Sequence, residues 1–107
     1  MKKPAPVNGM RPIHPGEVLR EEFLQPHNLS AHALAIALQV PAPRIYDIVR
    51  ERRAITVDTA LRLSKFFGNS AEFWMGLQTD FDMASGREHL HDAIGRIRRF
   101  EPSAAPA

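Results

Sequence analysis

Two short apolar patterns of helical period, separated by only about three residues, constrain the fold of this chain more than any other feature. The first begins at Ser30, a residue type that is favoured as a helix N-cap. After it, apolar residues recur with the i, i+3, i+4, i+7 spacing of one buried helix face: Ala31, Leu34, Ala35 and Leu38. The second begins in residues 41–43 and directs its apolar side chains inward: Ile45, Ile48 and Val49. Two short helices joined so closely are typical of a helix-turn-helix motif.

Ala35 is the residue that makes this pattern more specific. Two helices that cross steeply at close range need a small side chain at their contact, where a leucine would push them apart. Apolar spacing alone is common in helical bundles, whereas here it occurs together with a tight turn and with arginines after the second helix. We therefore assign the motif to the following residues: Ser30, Leu34, Ala35, Leu38, Val40, Ile45 and Ile48.

The flanking segments also predict helices, and no segment alternates like a strand, so the expected fold class is all-α. A first helix is expected over residues 15–25, because Pro15 suits a first turn and Pro26 cannot continue the helix. A fourth helix is expected to begin at the capping residue Thr56 and to stop at Gly68. Its expected buried face consists of Val57, Ala60, Leu61 and Ser64.

A fifth helix is expected to begin at Ser70, and its aromatic residue Trp74 is expected in the core. Leu90, Ile94 and Ile97 fit the face of one more helix. The chain then divides into a flexible leader (residues 1–12), a five-helix domain (residues 13–83) and a C-terminal tail (residues 84–107). The tail is expected to be partly helical and frayed at its end.

The composition excludes several classes of function. With no cysteine, the chain forms no disulfide and no thiolate zinc site, which suits the reducing cytoplasm as its location. His89 and His91 are two residues apart and would lie on different faces of a helix, so no metal site is expected. No group of residues assembles a nucleophile, a base and oxyanion donors, so we expect neither an enzyme nor a cofactor. No apolar run approaches the roughly 18 residues of a membrane span.

Positive charge is concentrated, although the formal net charge is only +2. Residues 44–53 contain Arg44, Arg50, Arg52 and Arg53, and a second group near the end contains Arg96, Arg98 and Arg99. Such a basic patch attracts a phosphate backbone, and a solvated charged face is the alternative interpretation. Acidic residues load the first helix instead: Glu17, Glu21 and Glu22.

Three segments in the right order resemble the HigA-type antitoxins, which belong to the Cro/phage-repressor (XRE) class. HPGEVLREEFL at residues 14–24 is similar to the family's entry helix. RRAITVDTALRLSKFFG at residues 52–68 is similar to its fourth helix, and EFWMGLQTDFD at residues 72–82 to its fifth. The likeness covers roughly residues 13–83. It implies a phage-repressor-like helix-turn-helix domain of five helices, followed by the helical tail.

The turn of the motif departs from the phage repressors. Gln39 stands where they usually have a glycine, at a position that needs a positive φ, so a less tight turn is expected. Pro41 and Pro43 at the head of the second helix are also unusual there. Both fit a first turn, where N–H groups lack partners inside the helix, but they remove hydrogen-bond donors that DNA would otherwise meet.

In this class the second helix of the motif, the recognition helix, enters the major groove by its N-terminal end. The expected base contacts are Pro41, Ala42, Pro43, Arg44 and Asp47. Arg44 is the one good bidentate donor for guanine among them, and Ala42 and Pro43 suit thymine methyl groups. The expected backbone contacts are Ser30, Tyr46, Arg50, Arg52, Arg53 and Thr56. For Tyr46 the alternative is packing against the preceding helix, and for Arg52 and Arg53 it is a solvated loop.

A palindromic DNA operator implies a homodimer, because one short recognition helix covers too few base pairs. The expected dimer surface consists of Trp74, Met75, Phe81, Leu90, Ile94 and Ile97. The resemblance further implies an autorepressor whose partner is a HigB-like toxin, an mRNA-cleaving ribonuclease of the RelE superfamily. Two alternatives remain: a transcription regulator without a toxin, and a helical protein-interaction module that does not bind DNA.

Overall fold

The computed structural model describes residues 11–103, which form helices and no strand, so the expected all-α fold is confirmed for that part of the chain. A first turn, α1 (Pro15–Val18), continues as a π-helical segment (Leu19–Leu24) and a 3-10 turn (Gln25–His27). The motif follows as α2 (Ala31–Leu38) and α3 (Ala42–Val49). The chain then forms α4 (Val57–Phe67), α5 (Ala71–His89) and α6 (His91–Gly95). Residues 1–10 of the expected leader and the last four residues of the tail lie outside the described residues.

Each of the three expected N-caps forms the hydrogen bond that its sequence predicts. The hydroxyl oxygen of Ser30 accepts from the N–H of Ala33 at 3.0 Å, and that of Ser70 accepts from Phe73 at 3.0 Å. Thr56 Oγ1 accepts from the N–H of its N3 residue at 3.4 Å. These bonds satisfy donors that the first turn of a helix leaves open, and they set where α2, α4 and α5 begin.

One apolar core joins all the helices except α6. The apolar residues of this core are at most 5% exposed: Leu19, Leu24, Leu34, Ala35, Leu38, Ile45, Ile48, Ile55, Ala60, Leu63 and Trp74. The expectation that Trp74 belongs to the core is confirmed, and its indole N–H donates to Asn69 Oδ1 at 2.9 Å. Phe23 packs on this indole, with ring centroids 4.8 Å apart. Such tilted ring pairs add stability beyond the area they bury.

The start of α1 approaches the end of α3 so closely that only glycine fits there. A Cβ atom on Gly16 would lie 1.7 Å from the carbonyl oxygen of Ile48. His14 caps this turn, because its Nδ1 accepts from the N–H of Gly16 at 2.8 Å. Burial lowers the pKa of His14, whose ring also packs edge-on against Phe81 at a centroid distance of 4.8 Å. The start of α1 therefore packs directly against the end of α3.

The expected buried face of α4 is right for Ala60 but wrong for Val57 and Leu61. Val57 and Leu61 are more than half exposed, whereas Thr59, Ala60 and Leu63 are buried. The apolar spacing misled because a threonine occupies the core-facing position of the first turn, where its polar character hid the true face.

The helix α5 continues well past Asp82, where its apolar pattern weakens. A glycine costs only about 1 kcal/mol in a helix interior, so Gly86 does not end the helix. The boundary between domain and tail that we placed after residue 83 therefore falls inside α5. Within residues 11–103, none of the helices is both long and apolar enough to cross a membrane.

Candidate nucleic-acid interface

The turn between α2 and α3 has the compact geometry of a helix-turn-helix. Gln39 adopts the left-handed conformation, with φ of 61°, which confirms that this position needs a positive φ. The N–H of Val40 donates to the carbonyl oxygen of Ala35 at 3.1 Å and closes the turn. The connection is therefore tight although Gln39 replaces glycine, contrary to the expectation of a looser turn. Ala35 is 1% exposed, as a small residue at the crossing should be.

The head of α3 presents few backbone donors. Pro41 is its N-cap residue and forms no side-chain cap, and Pro43 lies in the first turn. Neither proline has an N–H, and the N–H of Arg44 already donates to the carbonyl oxygen of Pro41 at 3.0 Å. Pro41 and Pro43 are exposed, while Ala42 and Arg44 are half-buried. Side chains, rather than backbone groups, therefore dominate what α3 offers to a ligand.

Arg44, the expected base reader, does not extend freely from α3. Its Nη1 donates to Asp58 Oδ1 on α4 at 2.8 Å, and Arg62 Nε donates to the same oxygen at 2.8 Å. The hydrogen bond from Arg62, and then that from Arg44, lowers the pKa of Asp58. Arg62 Nη1 also donates to the carbonyl oxygen of Leu38 at 2.9 Å, at the C-terminal end of α2. One carboxylate thus links α3, α4 and the turn of the motif.

The remaining expected contacts lie along α3 and just after it. The guanidinium carbon of Arg50 lies 5.3 Å from the centre of the Tyr46 ring, within cation–π range. Arg53 Nη2 lies 3.5 Å from Asp47 Oδ2, a long and exposed ion pair. Arg50, Arg52 and Arg53 are all exposed. The structure therefore places a basic surface at the C-terminal end of α3.

The two capping residues expected to bind phosphate sit at different helix starts. Ser30 begins α2 and Thr56 begins α4, each with its hydroxyl already used in its cap. Because Arg44 meets Asp58, in the turn that follows Thr56, the heads of α3 and α4 lie side by side. Backbone N–H groups at such helix starts are suited to bind anions.

Sequence reasoning missed the residues that hold α3 in place from outside. Arg20 Nη1 donates to the carbonyl oxygen of Val49, and its Nη2 lies 3.1 Å from Glu51 Oε2. Gln78 is buried on α5, where its Oε1 accepts from the N–H of Ile55 at 2.7 Å. These contacts join residues 23 or more positions apart in the chain, and no local spacing predicts them. Only the i, i+4 spacing of Asp58 and Arg62 was visible in the sequence.

Two expectations about the surface are corrected. Trp74, named as part of a dimer surface, is 0% exposed within the single chain, so it has no area left for a partner. Its ring fills the space among Phe23, Phe67 and Phe73. Glu17 does not belong to an acidic face, because it is buried and paired with Arg11 at 2.8 Å.

The other expected dimer residues keep exposed surface to different degrees. Met75 and Phe81 on α5 are half-buried. Leu90, Ile94 and Ile97 are exposed.

The comparisons with known proteins agree with this geometry. The helix-turn-helix family matches residues 19–74. Virulence-associated protein I of Dichelobacter nodosus is 58% identical over 83 residues, which are 78% of this chain and 77% of that protein. The structure of Pseudomonas aeruginosa antitoxin HigA with the higBA promoter is 47% identical, with a TM-score of 0.82, and covers 85% of this chain and 100% of that one.

A structure from Coxiella burnetii, an addiction module antidote protein of a HigA family, is 42% identical with a TM-score of 0.79. It covers 85% of this chain and 100% of that one. The fold and the turn geometry thus define a helix-turn-helix protein of the XRE type. Within that class, the chain belongs to the HigA family of antitoxins.

Proposed function

We propose that this chain is an antitoxin that binds the operator of its own toxin–antitoxin operon and represses it. The observation that carries the proposal is the α2–turn–α3 unit, with Ala35 buried at the crossing and α3 held by Arg20 and by Asp58 of α4. The similar HigA structure contains a promoter, and it aligns over its full length with this chain. The same motif in the same setting supports the same kind of ligand here.

Base reading is assigned to the N-terminal half of α3. Because its two prolines lack N–H groups, recognition rests on side chains: Arg44 for guanine and the apolar surfaces of Ala42 and Pro43 for thymine methyl groups. Pro41 begins this surface, and Asp47 lies one turn further along it. The exposed prolines make it unusually apolar for a DNA-reading surface.

Phosphate binding is assigned to the basic surface after α3 and to two helix starts. Arg50, Arg52 and Arg53 supply positive charge, and the N-terminal turns that begin at Ser30 and Thr56 supply backbone N–H groups. The cation–π contact between Tyr46 and Arg50 holds these two side chains together on this surface.

The antitoxin is proposed to act as a homodimer on a palindromic operator. In the part of the chain that the structure describes, the exposed large apolar side chains from the last turns of α5 onward are Met83, Leu90, Ile94, Ile97 and Phe100. A short amphipathic helix is marginal in water unless it docks. Its docking on a second copy would fix the spacing between two recognition helices.

The proposed toxin partner is a HigB-like ribonuclease of the RelE superfamily, bound directly. This part of the proposal rests on membership of the HigA family. Co-purification with the product of the neighbouring gene tests it. A chain that represses its own promoter but binds no such product would be a regulator without a toxin.

The DNA-binding proposal is tested by titrating the chain with the duplex that lies upstream of its own gene and with a scrambled duplex of equal composition. We expect Arg44→Ala to weaken binding to the upstream duplex by about 1–3 kcal/mol and to relax the preference at one base pair. Arg96→Ala, which removes an exposed arginine from the tail, is the matched control and should keep that preference. Equal binding to both duplexes at low salt would contradict the proposal.

A further inference from the structure

Asp58 is an acidic residue beside the surface that is proposed to bind DNA. Its side chain is 54% exposed, so the carboxylate is not hidden from a phosphate backbone. A negative charge there repels DNA of any sequence and lowers affinity. The residue therefore needs a benefit that outweighs this repulsion.

The geometry around Asp58 points to that benefit. Its Oδ1 accepts two hydrogen bonds at 2.8 Å, one from Arg44 Nη1 and one from Arg62 Nε. Arg62 is itself fixed by the carbonyl oxygen of Leu38 at 2.9 Å, so Asp58 is anchored to the turn of the motif. Arg44 is thus tied to the rigid part of the motif by a side chain on another helix.

The contact leaves part of the Arg44 guanidinium available. Only Nη1 donates to Asp58, while Nε and Nη2 have no partner among the described residues. Two N–H donors on adjacent nitrogens of one guanidinium match the two acceptors of a guanine in the major groove. Asp58 therefore restricts the side chain without occupying its reading edge.

We propose that Asp58 is a specificity-determining residue, which positions Arg44 to read one guanine and accepts a loss of general DNA affinity in return. This inference rests on the proposed function, since it needs Arg44 to be a base reader. A long side chain that is already ordered loses less entropy on binding, and it favours the base that fits its fixed orientation.

The proposal predicts that loss of the Asp58 charge raises the affinity for DNA of any sequence and lowers the preference for one base. A merely structural role of Asp58 would not produce this combination. Asp58→Asn keeps the shape of the side chain but removes its charge. We expect this variant to bind a scrambled duplex about two- to fivefold more tightly, because one negative charge is lost. We expect its preference for guanine at the position read by Arg44 to fall about three- to tenfold, the size of the entropy of ordering one long side chain.

The experiment uses a palindromic duplex selected from a random library by the full chain, with its single-base variants and a scrambled duplex. The ratio of affinities for two duplexes is measured on one protein sample, so any loss of folded protein cancels. Asp58→Glu keeps the carboxylate and should restore most of the preference. Asp92→Asn, which removes an exposed carboxylate from the tail, is the matched control and should leave the ratio unchanged.

The possible outcomes separate this inference from the proposed function. If Arg44→Ala relaxes one position and Asp58→Asn leaves the preference there unchanged, the positioning role is overturned while base reading stands. A sharper preference in Asp58→Asn would also overturn it, because Asp58 would then withhold Arg44 from the base. If Arg44→Ala changes no preference, both the inference and the base-reading assignment fail.

Discussion

The body of the molecule, from His14 to Asp82, differs from the outer tail in how far apolar side chains are buried. Because the boundary expected after residue 83 lies inside α5, the tail is taken here as the exposed residues from Arg87 to Ser103. The body buries one core of large apolar side chains, including Leu19, Ile45 and Trp74, although it also exposes some, such as Ile36 and Leu61. In the tail every residue is exposed, and Ile97 and Phe100 reach 68% and 81% exposure. The body therefore has a core within one chain, whereas the tail buries none of its side chains.

Glycines of the body and of the C-terminal part of α5 differ in the space around them. Substituting them gives the largest expected difference in stability. A methyl group on Gly16 in the body meets the backbone of Ile48, while one on Gly86 near the tail meets nothing within 4 Å. We expect Gly16→Ala to lower the free energy of unfolding by about 3 kcal/mol or more, because α1 and α3 must separate. Gly86→Ala should raise it by about 0.5–1 kcal/mol, because alanine favours a helix. Denaturant unfolding of both variants measures the difference, and equal stabilities would contradict the close approach of α1 to α3.

A second pair of matched substitutions enlarges a side chain, once inside the body and once on the exposed α6. Ala35→Leu should cost roughly 1–3 kcal/mol and abolish operator binding, because the crossing of α2 and α3 has no room for the larger side chain. Ala93→Leu makes the same change on the exposed α6. It should leave the melting temperature of the body unchanged. If Ala35→Leu kept both its melting temperature and its DNA binding, the helix crossing would be misplaced.

What the sequence predicted well is local, and what it missed is not. Ser30, Thr56 and Ser70 begin helices because each bonds to a backbone N–H three residues away. Ala35 and Gln39 were recognisable because a tight turn restricts side-chain size and φ within a few residues.

The contacts that fix the reading surface join distant segments instead. Arg44 finds Asp58 fourteen residues later, and Arg20 reaches Val49, twenty-nine residues later. Apolar period also failed where a polar residue faces the core, as Thr59 does on α4. Trp74 was named for both the core and the dimer, and only packing in three dimensions separates these roles. The assignment of individual residues to DNA remains a prediction.

The smallest expected effect distinguishes two histidines by pH. Burial lowers the pKa of His14 in the folded chain, so the neutral form is favoured there. As the pH is lowered through the usual pKa of about 6.5, His14 takes up a proton in the unfolded chain but stays neutral in the folded chain. The free energy of unfolding therefore decreases as the pH is lowered, until the pH reaches the lowered pKa of the folded chain. His14→Asn replaces the capping ring nitrogen by an amide oxygen that can accept the same hydrogen bond, and it should lose part of this pH dependence. His91→Asn, a change in the exposed tail, should keep the pH dependence of the unaltered chain. Thermal unfolding of both variants between pH 7 and pH 5 measures the difference. Identical pH profiles for the two variants would contradict the role of His14.

The central claim is that the body folds on its own and that the tail joins two copies, and sedimentation equilibrium of the full chain tests it most directly. We expect the unaltered chain to be a dimer and the triple variant Leu90→Ser, Ile94→Ser, Ile97→Ser to be a monomer with the melting temperature of the body unchanged. The control variant Ile36→Ser, Leu61→Ser, Phe66→Ser removes exposed apolar side chains of the body and should remain a dimer. A tail variant that still sediments as a tight dimer would contradict the account.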